Sequence, residues 1–170
     1  MKRRAYLGLG SNLGDRWAHL HTAVDKLRSA GTDLVVSQVY ETEPVGGPGG
    51  QGRYLNCVVG VMTALAPFEL LALANRIEDE EGRVRAERFG PRTLDVDVLL
   101  IDGVTSTDPR LLIPHPRMGE RSFVLAPLAE LAPDLAGADW VERLGGPSAV
   151  AAQIRPVGAM LAVRARGCDQ

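Results

Sequence analysis

Aromatic residues are scarce, at 5% of 170 positions, cysteines number only two, and no long apolar run occurs. Each shortage excludes something. Without an aromatic-rich run there is no stacking platform of the kind used by single-stranded RNA modules. Cys57 and Cys168 show neither metal-ligand spacing nor a disulfide framework, and Cys57 falls in an apolar stretch where a thiol packs as a small hydrophobe. The basic opening MKRRAYLGLG is broken by glycines and ends before Asn12 and Asp15, too short for a secretion signal or a membrane span. Charge of one sign is missing too: the formal net charge is −2 and the pI about 5.9. A nucleic-acid binder carries a basic footprint that this chain lacks, so any positive site must be local. These features lead us to expect a monomeric protein of a reducing cytoplasm, with neither nucleic-acid nor membrane partners.

What is present reads as one domain spanning 1–170, large enough for its own core, with no repeat or linker. Ala5–Leu9 reads as a strand, and a helix follows near Asp15–Ala30 with Trp17, Leu20, Val24 and Leu27 at helical spacing. DLVVSQVYET reads as one β-branched strand, and the glycine-rich Pro44–Gly52 as a mobile loop. Tyr54–Ala64 is a strand with Tyr54, Asn56 and Val58 on one face and Leu55, Cys57 and Val59 on the other. Pro67 opens a second helix with Leu70, Ala74 and Ile77 inward. Leu94–Ile101 is a strand, Asp102-Gly103 a hairpin-turn signal, Ile113–Arg121 a proline-rich loop and Phe123–Leu131 a helix. The stretch from about Asp139 resists assignment. The order β-α-β-β-α-β predicts an α+β, ferredoxin-like split-βαβ fold, a mostly antiparallel sheet with helices on one face.

Asp95 and Asp97 sit two apart, so both carboxylates leave the strand on the same side, roughly 7 Å apart. Leu99 and Ile101 are expected to continue that face, and Leu94, Val96, Val98 and Leu100 to form the other. Such a pair suits Mg²⁺ completed by phosphate oxygens; it equally suits surface ion pairs with Arg92 and Arg88. Arg83, Arg85, Arg88 and Arg92 lie within ten residues among Gly82, Gly90 and Pro91, which makes a cationic loop able to clamp an anion. Tyr54, Asn56 and Phe123 could stack and read a flat heteroaromatic ligand, or could simply edge the core. His19 and His21 read as surface residues, and Gly8-Leu9-Gly10 as backbone-approach and turn positions. His115, between two prolines, suits either a phosphate contact or a loop-holding role.

The runs YLGLGSN, YETEPVG, YLNCVV, GRVR, ERFGPRTLDVDVLL and PHPRMGERSFVLAPL occur in order. With them the chain resembles the 6-hydroxymethyl-7,8-dihydropterin pyrophosphokinases of folate biosynthesis. The resemblance implies ATP as co-substrate, two Mg²⁺ ions, and transfer of pyrophosphate to the pterin hydroxymethyl oxygen with release of AMP. By position it implies Asp95 and Asp97 as metal ligands, with Asp97 also orienting the hydroxyl. It implies Asp97, Arg83 and Arg92 as the catalytic set, and Glu78, Arg85, Arg88, His115 and Arg121 as ATP contacts. Thr42, Pro44, Val45, Tyr54, Asn56 and Phe123 become the pterin site. Phe89 stands where a tryptophan is often found, and Asn75 where a longer glutamine can occur. Another Mg²⁺-dependent nucleotidyl or phosphoryl transferase on this fold, and an RNA-binding module, remain alternatives.

Overall fold

The computed structural model describes residues 1–46, 48–82 and 90–160. Strand β1 (Arg3–Ser11) lies inside a six-stranded sheet of order β5-β1-β4-β3-β8, in which β3 is Gln38–Thr42 and β8 Ile154–Ala159, and β2 (Gly31–Val36) also pairs β4. β1 is antiparallel to both neighbours, β4 (Tyr54–Thr63) and β5 (Asp95–Ile101). Helix α1 (Arg16–Leu27) starts where Asp15 accepts the Ala18 N–H at 3.0 Å, and a 3₁₀ turn carries it to Ala30. Helix α2 (Pro67–Glu80) has proline in its first turn, and Glu69 reaches back to the Ala66 N–H at 2.7 Å, which satisfies a donor the helix itself cannot. α1 buries Leu20, Val24 and Leu27, and α2 buries Leu70, Ala74 and Ile77, against one face of the sheet, where Leu7, Leu55, Val59 and Val96 point. This is the expected split-βαβ arrangement.

The opposite face is covered in part. Helix α3 (Ser122–Leu131) packs Val124 and Leu128 on Tyr6, Val58, Leu99 and Leu100, leaving the end of the sheet near Asp95 and Tyr54 open.

Four local features depart from the sequence reading. DLVVSQVYET is two strands, β2 (Gly31–Val36) and β3 (Gln38–Thr42), broken at Ser37. Ser37 keeps the ladder to β4 intact: its N–H donates to the Val58 carbonyl and its hydroxyl accepts the Val58 N–H, both at 3.0 Å. Second, the β1–β5 register slips so that Tyr6 faces Leu100 while Leu7 faces Val98. The extra residue is a β-bulge, which reverses every later side chain. Leu100, not Ile101, therefore joins Leu99 on the aspartate side, and Ile101 packs with Val96 and Val98 under the helices. Third, Asp102-Gly103 makes a turn, with the Val104 N–H bonded to the Ile101 carbonyl at 3.0 Å, yet joins no hairpin. The next strands, β6 (Ser106–Asp108) and β7 (Leu111–Ile113), pair with each other.

Fourth, the unassigned stretch is structured over its described residues, up to 160. After α4 (Pro133–Ala136), α5 (Trp140–Arg143) and α6 (Pro147–Gln153) comes β8 (Ile154–Ala159), which pairs antiparallel with β3. Arg155 on β8 and Arg16 on α1 both donate to Glu41 of β3, at 2.6 and 3.1 Å.

Candidate active site

The open end of the sheet forms a cleft of about 460 Å³. Its floor follows from the pairing register: Gly10 of β1 lies opposite Asn56 on one side and Asp95 on the other, and Gly8 lies opposite Val58 and Asp97. Having no side chain, the glycines leave a hollow between an amide on β4 and a carboxylate pair on β5. Two interstrand spacings separate them, about 9.6 Å. A Cβ on Gly10 would stand 3.1 Å from Asn56 Oδ1 and 3.7 Å from the Tyr54 ring. A side chain at Gly10 would therefore press on Asn56 and intrude into the hollow.

Asn56 is 6% exposed and donates through Nδ2 to Thr42 Oγ1 at 2.9 Å. Pro44 and Val45, beyond the end of β3, and Phe123 and Arg121, at the start of α3, complete the walls. The Arg121 guanidinium lies 5.5 Å over the Phe123 ring. Burial, and the nearby Arg117, depress Arg121 from its ordinary value. Two cations lining one cleft favour an anion between them. Across the cleft, Arg92 pairs with Asp95, Nη1 to Oδ2, at 2.9 Å. This is one of the ion pairs foreseen as the surface alternative, but it lines the cleft.

Of the residues singled out from the sequence, Asp95, Asp97, Arg92, Arg121, Thr42, Pro44, Val45, Tyr54, Asn56 and Phe123 all line this one cleft. Arg83, Arg85, Arg88 and Phe89 lie outside the described residues, as does Cys168. Glu78 and His115 are adjacent instead of lining. Glu78 is 2% exposed, and its Oε1 accepts the N–H of Val96, the residue between the aspartates, at 2.8 Å. Because β5 is an edge strand, its outward N–H groups need partners beyond the sheet, and Glu78 supplies one. His115 donates its N–H to the Leu99 carbonyl at the bulge, at 2.7 Å, and its Nδ1 accepts the Arg117 N–H at 3.2 Å. Burial lowers its pKa; Asp97 acts against that shift and Arg121 with it. The neutral form, with the proton on Nε2, is thereby favoured.

Sequence reasoning missed Asn12, Arg117, Ser122 and Gln153. Asn12 closes β1 with three bonds: its Oδ1 accepts the Arg92 N–H at 2.8 Å, and its Nδ2 donates to Gln51 Oε1 and the Gly52 carbonyl, both at 3.2 Å. The arginine segment and the glycine loop thus share one side chain. A polar amide at the end of an apolar strand was the available signal.

The Asp95 and Asp97 carboxylates, in a cleft also lined by Arg92, Arg117 and Arg121, fit a hard divalent cation whose remaining ligands are water and phosphate oxygens. Among the described residues there is no cluster of three or more His, Cys, Asp or Glu side chains, so an all-protein cage of that kind is absent there. No helix among them is long and apolar enough to cross a membrane.

Comparison with known proteins gives consistent results. The family profile of 7,8-dihydro-6-hydroxymethylpterin-pyrophosphokinase (HPPK) matches residues 6–133. The chain is 50% identical over 133 residues to the 2-amino-4-hydroxy-6-hydroxymethyldihydropteridine pyrophosphokinase of Bacillus subtilis, covering 77% of this chain and 79% of that one. It is 48% identical to the Methylorubrum extorquens enzyme of the same name, covering 78% and 84%. Among solved structures it is similar in fold to wild-type Plasmodium falciparum HPPK-DHPS with SDX-DHP, with a TM-score of 0.64 and 14% identity. That alignment covers 91% of this chain, which spans only 47% of the longer polypeptide.

Proposed function

The chain belongs to the 7,8-dihydro-6-hydroxymethylpterin-pyrophosphokinase family, and from that premise we propose how its cleft transfers pyrophosphate from ATP to the hydroxymethyl group of 6-hydroxymethyl-7,8-dihydropterin, releasing AMP. The observation that carries the reading is the row Asn56–Gly10–Asp95 across three neighbouring strands. It sets a reader of heteroaromatic edges and a carboxylate pair at opposite ends of one hollow. A pterin whose ring edge meets Asn56, held by Thr42, and the backbone near Pro44 and Val45 points its hydroxymethyl group toward Asp97. Tyr54 and Phe123 supply its flat walls.

In the reaction the hydroxymethyl oxygen forms a bond to the β-phosphorus, and the bond from that phosphorus to the oxygen bridging it to the α-phosphate breaks, so AMP leaves with that oxygen. Such transfers depend on positioning and charge neutralisation more than on covalent help. Asp97 accepts the hydrogen bond of the attacking hydroxyl and keeps a lone pair aimed along the line of attack. Arg92 and Arg121 hold phosphate oxygens, and Arg83, Arg85 and Arg88 join them on sequence grounds. His115, neutral, contributes an Nε2–H donor beside Asp97. Glu78 acts behind the site by fixing the strand and is a support for ATP binding, not a contact. Asp95 and Asp97 would hold Mg²⁺, two ions in this reading, which supplies charge neutralisation at the phosphate oxygens when bound. Arg92 then exchanges Asp95 for phosphate. We further place the protein in the cytoplasm as a monomer, with 1–170 acting as one pyrophosphokinase domain.

The test is product analysis with ATP and Mg²⁺, with and without the pterin. AMP should form in step with pterin consumed. ADP as the product, or turnover indifferent to pterin, would refute the reading. Asp95→Ala and Asp97→Ala should each cost at least about 2.7 kcal/mol in the chemical step, roughly a hundredfold. A folded variant with near-normal turnover would remove that carboxylate from its role.

A further inference from the structure

The family profile ends at Pro133, yet the cleft does not. Gln153, the last residue of α6, lines it. The next residue, Ile154, opens β8 opposite Thr42, the side chain that holds Asn56. Gln153 therefore stands at the end of the cleft where the pterin edge is read, across the sheet from the aspartates on β5.

Its Oε1 accepts a hydrogen bond from Ser122 Oγ at 2.8 Å. Ser122 is 3% exposed, is the first residue of α3, and immediately precedes Phe123. At the N-cap position, Arg121 makes no side-chain capping bond, so the first turn of α3 lacks the usual local anchor. Gln153 supplies one from a distant part of the chain. A second contact acts on the same ring: Phe123 packs against the cluster of Ala126, Val150 and Ile154, of which the last two belong to the C-terminal α6–β8 segment.

The geometry points to Gln153 as a positioning residue for the pterin: through Ser122 it fixes the first turn of α3, and with it the place of the Phe123 ring, while Val150 and Ile154 back that ring. The inference rests on the reading of Phe123 as a wall of the pterin site. A plate already held at stacking distance costs no ordering when the ligand arrives, whereas a loose one does. At the phosphate end of the cleft, Arg92, Asp95 and Asp97 come from elements that Gln153 does not touch through this bond; only Arg121, at the N-cap of α3, adjoins Ser122.

The experiment compares dissociation constants for the hydroxymethyldihydropterin and for a non-hydrolysable ATP analogue in Gln153→Ala, Ser122→Ala, the double variant and Gln153→Glu, with Tm recorded for each. Gln153→Ala should weaken pterin binding roughly fivefold, the scale of one net hydrogen bond, with a smaller loss of ATP-analogue affinity, since only Arg121 among the phosphate contacts adjoins Ser122, and Tm nearly unchanged. Ser122→Ala should do the same, and the double variant should be no weaker than the weaker single, because both delete one interaction. Gln153→Glu retains the acceptor and should restore binding. Unchanged pterin affinity in Gln153→Ala, equal losses for both ligands, or additive single effects would overturn the inference. If the unaltered protein bound no pterin, the assignment of the site itself would fall, which is a separate and visible result.

Discussion

Glu78 is the residue whose removal tests most directly how the site is supported. Its carboxylate is 2% exposed and receives the Val96 N–H at 2.8 Å, holding the backbone between the two aspartates. In Glu78→Ala that N–H loses its acceptor in a place water does not reach. Leaving a buried donor unsatisfied costs about 1–3 kcal/mol, and the truncated side chain leaves unfilled space as well, so the loss should be about 2–4 kcal/mol. In a chain of this size about 1 kcal/mol moves Tm by roughly 2–4 °C, which predicts a fall of roughly 5–15 °C. Glu78→Gln keeps the volume and an acceptor and should lose no more than about 1 kcal/mol. Thermal unfolding followed by circular dichroism measures both. AMP formation well below either Tm should drop further in the alanine variant than in the glutamine one, because the aspartates ride on the strand that Glu78 pins. An alanine variant within ~0.5 kcal/mol of the parent, with unchanged turnover, would refute the bracing role.

Gly10→Ala places a methyl 3.1 Å from Asn56 Oδ1; it should weaken pterin binding by about tenfold while shifting stability by less than about 1.5 kcal/mol, as read by calorimetric titration and denaturant unfolding. Burial alone would raise the Glu41 carboxyl, but hydrogen bonds and charge from Arg155 and Arg16 outweigh it and hold the group below the ordinary carboxylate range. A depressed folded pKa means stability that is full above the unfolded value and lost as pH falls through the folded one. Glu41→Gln should therefore flatten the acid limb of a stability–pH curve and leave the neutral plateau lower; an unchanged acid limb would remove Glu41 from that role. Tyr40 donates to Glu130, which also accepts the Gln38 N–H at 2.8 Å; Tyr40→Phe should cost about 1–2 kcal/mol in urea unfolding, and a neutral result would contradict the bond.

The period-two pattern of DVDVLL made the aspartate face legible, and the helical spacing of Leu20, Val24 and Leu27 made α1 legible, because both depend on local geometry alone. The bulge at Leu99 was not legible, since nothing in a run of apolar residues marks which one the partner strand skips. Neither was the break at Ser37, where a hydroxyl replaces a ladder bond and leaves the β-branched composition unaltered. β8 escaped because IRPVGA carries Pro and Gly and little alternation; its pairing is set by the β3 edge and by Arg155 reaching Glu41. Gln153 and Asn12 owe their importance to partners far away in sequence, which a single chain read end to end does not reveal.

Strand β1 also constrains when the protein can begin to work. Gly8 of β1 has Val58 on one side and Asp97 on the other, so both seams of that strand wait for segments that come much later in the chain. Closing such distant pairs is entropically costly and slow. The half containing β1 and β4 closes the shorter loop and can form earlier, but it offers Asn56 without the carboxylates. In refolding experiments catalysis should therefore return with the last cooperative phase, when β5 docks, and no partly folded species should hydrolyse or transfer from ATP. A cleft whose two halves meet only across the final seam protects the nucleotide from its own unfinished catalyst.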